Sequence, residues 1–220
     1  RVLFRSILSP FFFVHSLTAL THTHTMAVKE EQVIIMKILL LGEVGVGKTT
    51  LLSRLAGEDF QESYRPFDTK SRLVTRGNKK VRVVFCDTDG QERFGTLTTA
   101  LYKSLNGCVL VFSRTNPKTL DICEQWIAET KRYSGDSKVA FLLVGNKSDD
   151  PAATAVDDAT AQAWAKAHNM PYVPASARCD NVEKLFDTVC DRVWKTMKNS
   201  TAANAATPDV THRSSTCTLL

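Results

Sequence analysis

The sequence has no long apolar run, no strong net charge and no internal repeat. Its N-terminal apolar stretch, residues 7–20, is interrupted by Pro10, His15 and several hydroxyl side chains. It is also shorter than the roughly 20 apolar residues that a membrane-spanning helix needs. These features exclude a polytopic membrane protein and a collagen-like repeat. The net charge of +5, from 28 basic and 23 acidic residues, is too small a bias to indicate binding of nucleic acid.

The six cysteines lie far apart, with no CxxC pair and no histidine at zinc spacing. Several fall in apolar runs, where cysteine usually acts as a small buried hydrophobe. They predict reduced thiols in a cytosolic protein. With 220 residues, 43% hydrophobic and 23% charged, the chain has the composition of one globular domain with a proper core.

The two ends differ in composition from the middle. Residues 1–25 allow two interpretations, a signal peptide with Arg1 and Arg5 before the run 11–13, or upstream sequence translated in frame before a natural start at Met26. We favour the second, a non-native or disordered extension, because the following domain has cytosolic character. Residues 199–220 are mostly small and polar, which predicts a flexible tail.

Between the ends, segments of strand and helix character alternate. Strands are predicted at 33–41, 72–76, 81–86, 109–112, 139–144 and 172–173, and helices at 49–56, 117–133, 157–168 and 181–198. Continuous apolar runs such as 33–41 are typical of strands covered on both faces. The alternation predicts an α/β fold with a doubly wound, mostly parallel sheet.

The first predicted strand leads into Gly42-Glu43-Val44-Gly45-Val46-Gly47-Lys48-Thr49. This is the pattern G-x-x-x-x-G-K-[ST] between a strand and a helix, which is the context of a phosphate-binding P-loop. Its glycines allow backbone N–H groups to surround phosphate oxygens at a helix N-terminus. Lys48 would pair with the terminal phosphates, and the Thr49 hydroxyl would ligate Mg2+. The predicted phosphate-binding residues are Glu43, Val44, Gly45, Val46, Gly47, Lys48, Thr49 and Thr50.

A second cluster, at 144–149, indicates the base. The Asp149 carboxylate can accept hydrogen bonds from guanine N1–H and the N2 amino group, whereas adenine offers an acceptor at N1 and nothing at C2. Such a site can reject the wrong base by roughly 10⁴-fold. An ATP-dependent P-loop kinase, the alternative from another class, is therefore disfavoured. Asn146 and Lys147 would frame the ring, and the Ala177 N–H would donate to guanine O6. The predicted base-binding residues are Asn146, Lys147, Asp149, Ser176, Ala177 and Arg178.

The third cluster, Asp87-Thr88-Asp89-Gly90-Gln91-Glu92-Arg93-Phe94, directly follows another predicted strand. Asp87 would hold Mg2+ through water, and the Gly90 N–H would reach the γ-phosphate. Gln91 is the predicted catalytic residue, placed to orient an attacking water in a reaction that depends mainly on positioning and charge stabilisation.

These clusters together resemble the Ras superfamily of small GTPases, and 91–94 and 142–147 resemble its Rab branch most. The resemblance covers residues 33–198, the G domain. It implies a P-loop NTPase fold with six strands and five helices, Mg2+-dependent GTP binding, slow hydrolysis to GDP and a role in membrane traffic. It also implies an exchange factor, a GTPase-activating protein and effectors that bind residues 60–72 and 89–100.

The chain departs from the family around the γ-phosphate. Phe60 keeps the position of the aromatic residue that packs on guanine, but Phe67 occupies the position of the switch threonine that ligates Mg2+. We expect Thr69 to replace it. Asp89 adds a carboxylate near the phosphates, and Val44 would crowd the catalytic glutamine. The alternative function is a GTP-binding scaffold of the same fold, with little or no hydrolysis because of these changes.

The chain ends in Cys217-Thr218-Leu219-Leu220, which fits a C-a-a-X prenylation pattern. One lipid chain anchors a protein only marginally. Lys195, Lys198 and Arg213 add little positive charge. We therefore expect reversible attachment to the cytosolic face of membranes, with a prenyl carrier protein that extracts the chain.

Overall fold

The computed structural model describes residues 32–59, 69–88, 99–135, 138–151, 154–179 and 182–205. They belong to the second of the two units of the chain, Gln32–Leu220. The strands are β1 Ile34–Leu41, β2 Thr69–Arg76, β3 Lys79–Cys86, β4 Gly107–Ser113, β5 Ala140–Asn146 and β6 Tyr172–Pro174. The helices are α1 Lys48–Leu55, α2 Lys118–Asp121, α3 Cys123–Tyr133, α4 Asp158–Ala167 and α5 Val182–Ala205. A 3₁₀ turn spans Thr99–Tyr102.

The strands form one sheet in the order β2-β3-β1-β4-β5-β6. Among the described strands, β2 alone runs antiparallel to its neighbour, and the other pairs are parallel. The predicted doubly wound, mostly parallel sheet is confirmed. Strand order reverses at β1, which lies between β3 and β4, and open α/β sheets bind their ligands outside the carboxyl ends of the strands at such a point.

Alternate residues of β1 enter two separate cores, as the period of two along a strand requires. Met36, Ile38 and Leu40 pack with apolar residues of α1 and α5. Leu39 and Leu41 face the opposite side, with residues of α2, α3 and α4. The strand is therefore covered on both faces, which explains its uninterrupted apolar sequence.

The hairpin of β2 and β3 is held against α5 by ion pairs. Arg72 contacts Glu183 at 2.9 Å, and Arg76 contacts Asp187 at 2.8 Å and Asp191 at 3.2 Å. The acidic side chains are largely exposed, so each pair contributes at most about 1 kcal/mol. The pairs fix the orientation of the hairpin more than they stabilise the fold.

The hairpin and the last helix are longer than predicted. Backbone pairing begins at Thr69 and joins Arg76 to Lys79, so the turn has two residues instead of the four predicted. The polar ends of these strands pair through the backbone, which an apolar pattern does not report. Helix α5 continues past 198 to Ala205, and the tail predicted from 199 therefore begins within it.

The cysteines in the described part of the chain are all free thiols, and four of the five are buried. The exception is Cys179, which is exposed. Burial raises the pKa of the Cys123 and Cys190 thiols to about 12, so these thiols are protonated at neutral pH. Among the described helices, including the 24 residues of α5, we find none with the length and apolar character of a membrane span.

Candidate functional site

The P-loop joins the carboxyl end of β1 to the N-terminus of α1, as predicted. Gly45 and Gly47 have φ of +78° and +93°, a left-handed conformation that favours glycine. The loop surrounds the Lys48 side chain, which is only 2% exposed and donates from Nζ to the Glu43 carbonyl at 3.1 Å. Within the described ranges no side chain caps α1 by a hydrogen bond, and its first turn carries no acid. The loop therefore combines a buried cation with a helix N-terminus, which favours an anion.

A buried hydroxyl and a buried carboxylate meet beside this lysine. Thr49 Oγ1 donates to Asp87 Oδ2 at 2.6 Å, and both residues are buried. Thr88 fixes the adjoining backbone by donating to the Leu40 carbonyl at 2.9 Å. Among the described residues, no group of three or more His, Cys, Asp or Glu side chains is placed to hold a metal ion. Two oxygen ligands fit Mg2+, which commonly takes one or two protein ligands and completes its shell with phosphate and water.

Asn146 ties the P-loop to the base-binding loops. Its Nδ2 donates to the Val46 carbonyl at 2.8 Å, and its Oδ1 accepts from the Ala177 N–H at 3.3 Å. The Ala177 N–H, expected to reach guanine O6, thus contacts Asn146 in this structure. Lys147 adds a second connection, because its Nζ donates to the Gly45 carbonyl at 2.8 Å. Three loops far apart in the sequence are therefore held at one sheet edge.

Asp149 is held by the loop after β6. The Ser176 hydroxyl donates to Asp149 Oδ1 at 2.6 Å and accepts from the Arg178 N–H at 3.1 Å. The hydrogen bond from Ser176 lowers the pKa of Asp149, and Arg178 lowers it further. The carboxylate is therefore ionised at neutral pH and is oriented before a ligand binds.

These loops enclose a cavity of about 390 Å³. Its lining brings together predicted residues from the P-loop and both base-binding loops: Gly45, Gly47, Thr50, Asn146, Lys147, Asp149, Ser176, Ala177 and Arg178. Thr115 and Asp150 also line it, and neither was predicted from the sequence. Their positions in the sequence could have indicated this, because Thr115 follows β4 and Asp150 follows Asp149 at the carboxyl edge of the sheet.

The predicted residues that would act on the γ-phosphate are mostly outside the described ranges. Asp89, Gly90 and Gln91 lie outside them. So do Phe60, predicted to pack on guanine, Phe67, which occupies the position of the switch threonine, and Cys217. Of the effector segments, only 69–72 and 99–100 are described. Thr69 is exposed at the start of β2 and pairs with Cys86, the residue before Asp87. Its role as an Mg2+ ligand stays a prediction.

Comparison with known proteins agrees with this geometry. A model of the Ras family matches residues 37–195. Two relatives are each 36% identical over 178 residues, which cover 79% of this chain and 87% of the relative: Ras-related protein RABD2a of Arabidopsis thaliana and GTP-binding protein YPTM2 of Zea mays. Ras-related protein RIC1 of Oryza sativa subsp. japonica is 35% identical, with 88% of its length covered. The matched region contains every cavity-lining residue named above.

Proposed function

Because the chain belongs to the Ras family and is a Rab-like small GTPase that binds guanine nucleotide, we propose that it is a GTP/GDP switch in intracellular membrane traffic. It would bind GTP with Mg2+ and hydrolyse it slowly to GDP. The observation that carries this proposal is the cavity shared by the P-loop and the loop of Asp149. The size and lining of the cavity suit a nucleoside with its phosphates directed toward Lys48.

In this proposal Asp149 selects guanine. Its carboxylate accepts from N1–H and from the N2 amino group, and both of its oxygens are then used in charge-assisted hydrogen bonds. Ser176 supports that role, since it fixes one carboxylate oxygen and favours the ionised form. With adenine the carboxylate would face the N1 lone pair, so the site would reject ATP.

The phosphates would lie against the P-loop backbone and α1. Lys48 donates to a backbone carbonyl here and would transfer that contact to phosphate oxygens. Thr49 and Asp87 would hold Mg2+, with Thr69 as the candidate ligand from the first switch. The ion would neutralise phosphate charge and so ease the departure of the GDP leaving group.

Hydrolysis would depend on Gln91, which orients a water for attack on the γ-phosphorus. The bond from that phosphorus to the β–γ bridging oxygen breaks, and GDP and phosphate are released. We expect a slow rate because Asp89 would repel the γ-phosphate and Val44 would crowd Gln91. The scaffold without hydrolysis is not favoured, because membership of the Ras family implies GTPase activity in general.

Attachment to the cytosolic face of membranes would come from a prenyl group on Cys217. The proposed partners are an exchange factor, a GTPase-activating protein and effectors that contact residues 60–72 and 89–100, together with a soluble carrier for the prenyl group. This assignment rests on the Rab-like relatives and on the terminal sequence pattern.

Multiple-turnover hydrolysis tests the proposed function. With Mg2+ present, the chain should convert GTP to GDP slowly, and excess ATP should not compete. Gln91→Leu should abolish turnover, while Gln125→Leu, on the exposed face of α3, should not change it. Asp89→Ala should accelerate single-turnover hydrolysis. Equal competition by ATP, or turnover unchanged in Gln91→Leu, would contradict the assignment.

A further inference from the structure

A second cavity, of about 660 Å³, lies between α4, β6 and α5. We call it the α4–α5 groove, and it includes residues 169–171, which precede β6. The amino end of β6 is at the sheet edge opposite the nucleotide cavity, because the P-loop and base-binding loops follow the carboxyl ends of parallel strands. The groove therefore belongs to a different face of the domain from the site described above.

The α4–α5 groove carries an excess of positive charge. Lys166, Arg192 and Lys195 line it, all three are exposed, and within the described part of the chain none of them makes an ion pair. The acidic lining residue, Asp191, contacts Arg76 Nε at 3.2 Å. Arg76 also pairs with Asp187, so it matches the charge of Asp191 only in part. Three cations against this one carboxylate still leave an excess of positive charge at the groove.

The shape of the groove adds to its charge. Arg192 and Lys195 lie one turn apart on α5, so they share a helix face, and Lys166 is in the last turn of α4. Buried Ala165 and Met170 contribute apolar surface to the lining. Cations around an apolar concavity match the chemistry of an anionic phospholipid, which carries a charged headgroup on an apolar body.

We propose that the α4–α5 groove is the surface through which the domain contacts an anionic phospholipid membrane. This inference rests on the membrane attachment proposed above. Each basic side chain near an anionic surface strengthens binding about fivefold, and a single lipid chain needs such a second signal. Contact at the groove leaves the nucleotide cavity facing solution, where exchange factors and effectors have access.

Vesicle cosedimentation of the full chain, without lipid modification, tests the proposal. The chain should bind vesicles of phosphatidylcholine with phosphatidylserine and not vesicles of phosphatidylcholine alone, and salt should weaken binding. The double variant Arg192→Glu/Lys195→Glu should bind at least about 25-fold more weakly, from about fivefold for each charge. Inorganic phosphate at equal ionic strength should not displace the chain, because the ligand is a membrane surface.

The matched control is Lys131→Glu/Lys138→Glu, which makes the same charge change at exposed positions outside the groove. It should retain most of the binding. Equal losses in the two double variants would overturn the proposal in favour of a net-charge effect. No preference of the unsubstituted chain for phosphatidylserine would also overturn it and would favour an acidic protein as the occupant. GDP binding, measured in parallel, verifies folding and keeps this outcome separate from failure of the proposed GTPase function.

Discussion

Replacing Asn146 by alanine should remove the hydrogen bonds that connect the P-loop to the base-binding loops. The side chain is almost fully buried and joins the Val46 carbonyl to the Ala177 N–H. Two neutral hydrogen bonds are worth about 1 kcal/mol each, and a buried group left without a partner costs about 1–3 kcal/mol. In the bound state the nucleotide holds both loops in place and keeps water from the unpaired groups. In the free protein the loops can relax, so the cost falls mainly on the bound state. We therefore expect about 3 kcal/mol less binding free energy, which is roughly 100-fold weaker GDP binding.

The assay is calorimetric titration with GDP in the presence of Mg2+, together with the dissociation rate of a fluorescent GDP analogue. Asn106→Ala is the matched control, because Asn106 Oδ1 accepts from the Lys37 N–H at 2.8 Å at the amino end of β4, away from the cavity. It should lower the stability by about 1 kcal/mol and leave GDP affinity unchanged. If Asn146→Ala binds GDP as tightly as Asn106→Ala does, then GDP affinity does not depend on the connection that Asn146 makes between the two loops.

Three further predictions concern the same cavity. Ser176→Ala should weaken GDP binding about tenfold, by removing a hydrogen bond to the charged Asp149. The pKa of Asp149 is lowered in the folded protein. The contribution of its carboxylate to GDP binding should therefore be constant above the ordinary aspartate range and be lost as the pH falls through the lowered pKa. Ser176→Ala should shift that loss to higher pH, and an unshifted pH profile would contradict the assignment. Gly47→Ala should reduce GDP affinity at least tenfold, because φ is +93° and a Cβ would lie 2.6 Å from Asn146 Nδ2. Gly77→Ala, with φ of +61° and open space around it, should cost about 1 kcal/mol of stability without changing affinity.

The fold was predictable where side-chain burial follows a simple period. The apolar run of β1 predicted a strand covered on both faces, and its residues do enter two cores. Residue pattern could not locate the polar ends of the hairpin or the last turns of α5. There, backbone hydrogen bonds continue after the apolar pattern has stopped, so the elements extend further than the pattern indicates.

The individual residues of the site were predictable, but the hydrogen bonds that connect its loops were less so. The P-loop, Asp149 and Ser176 were identified because each chemistry requires a particular residue type next to a strand end. The structural role of Asn146 was not, since it spans 100 residues of sequence to the Val46 carbonyl. The expectation that Asn146 frames the base follows from its loop alone, whereas its contacts depend on how β1 and β5 are placed beside β4.

Asp149 and the loop around Lys48 are proposed to bind the same guanine nucleotide. Calorimetry of Asp149→Asn with GDP and ADP tests it most directly. The unsubstituted chain should bind GDP with Mg2+ and show no uptake of ADP. The variant should lose at least about 100-fold in GDP affinity, because one charged acceptor of two hydrogen bonds is removed. Undiminished GDP affinity in Asp149→Asn, or no GDP uptake by the unsubstituted chain, would contradict the account.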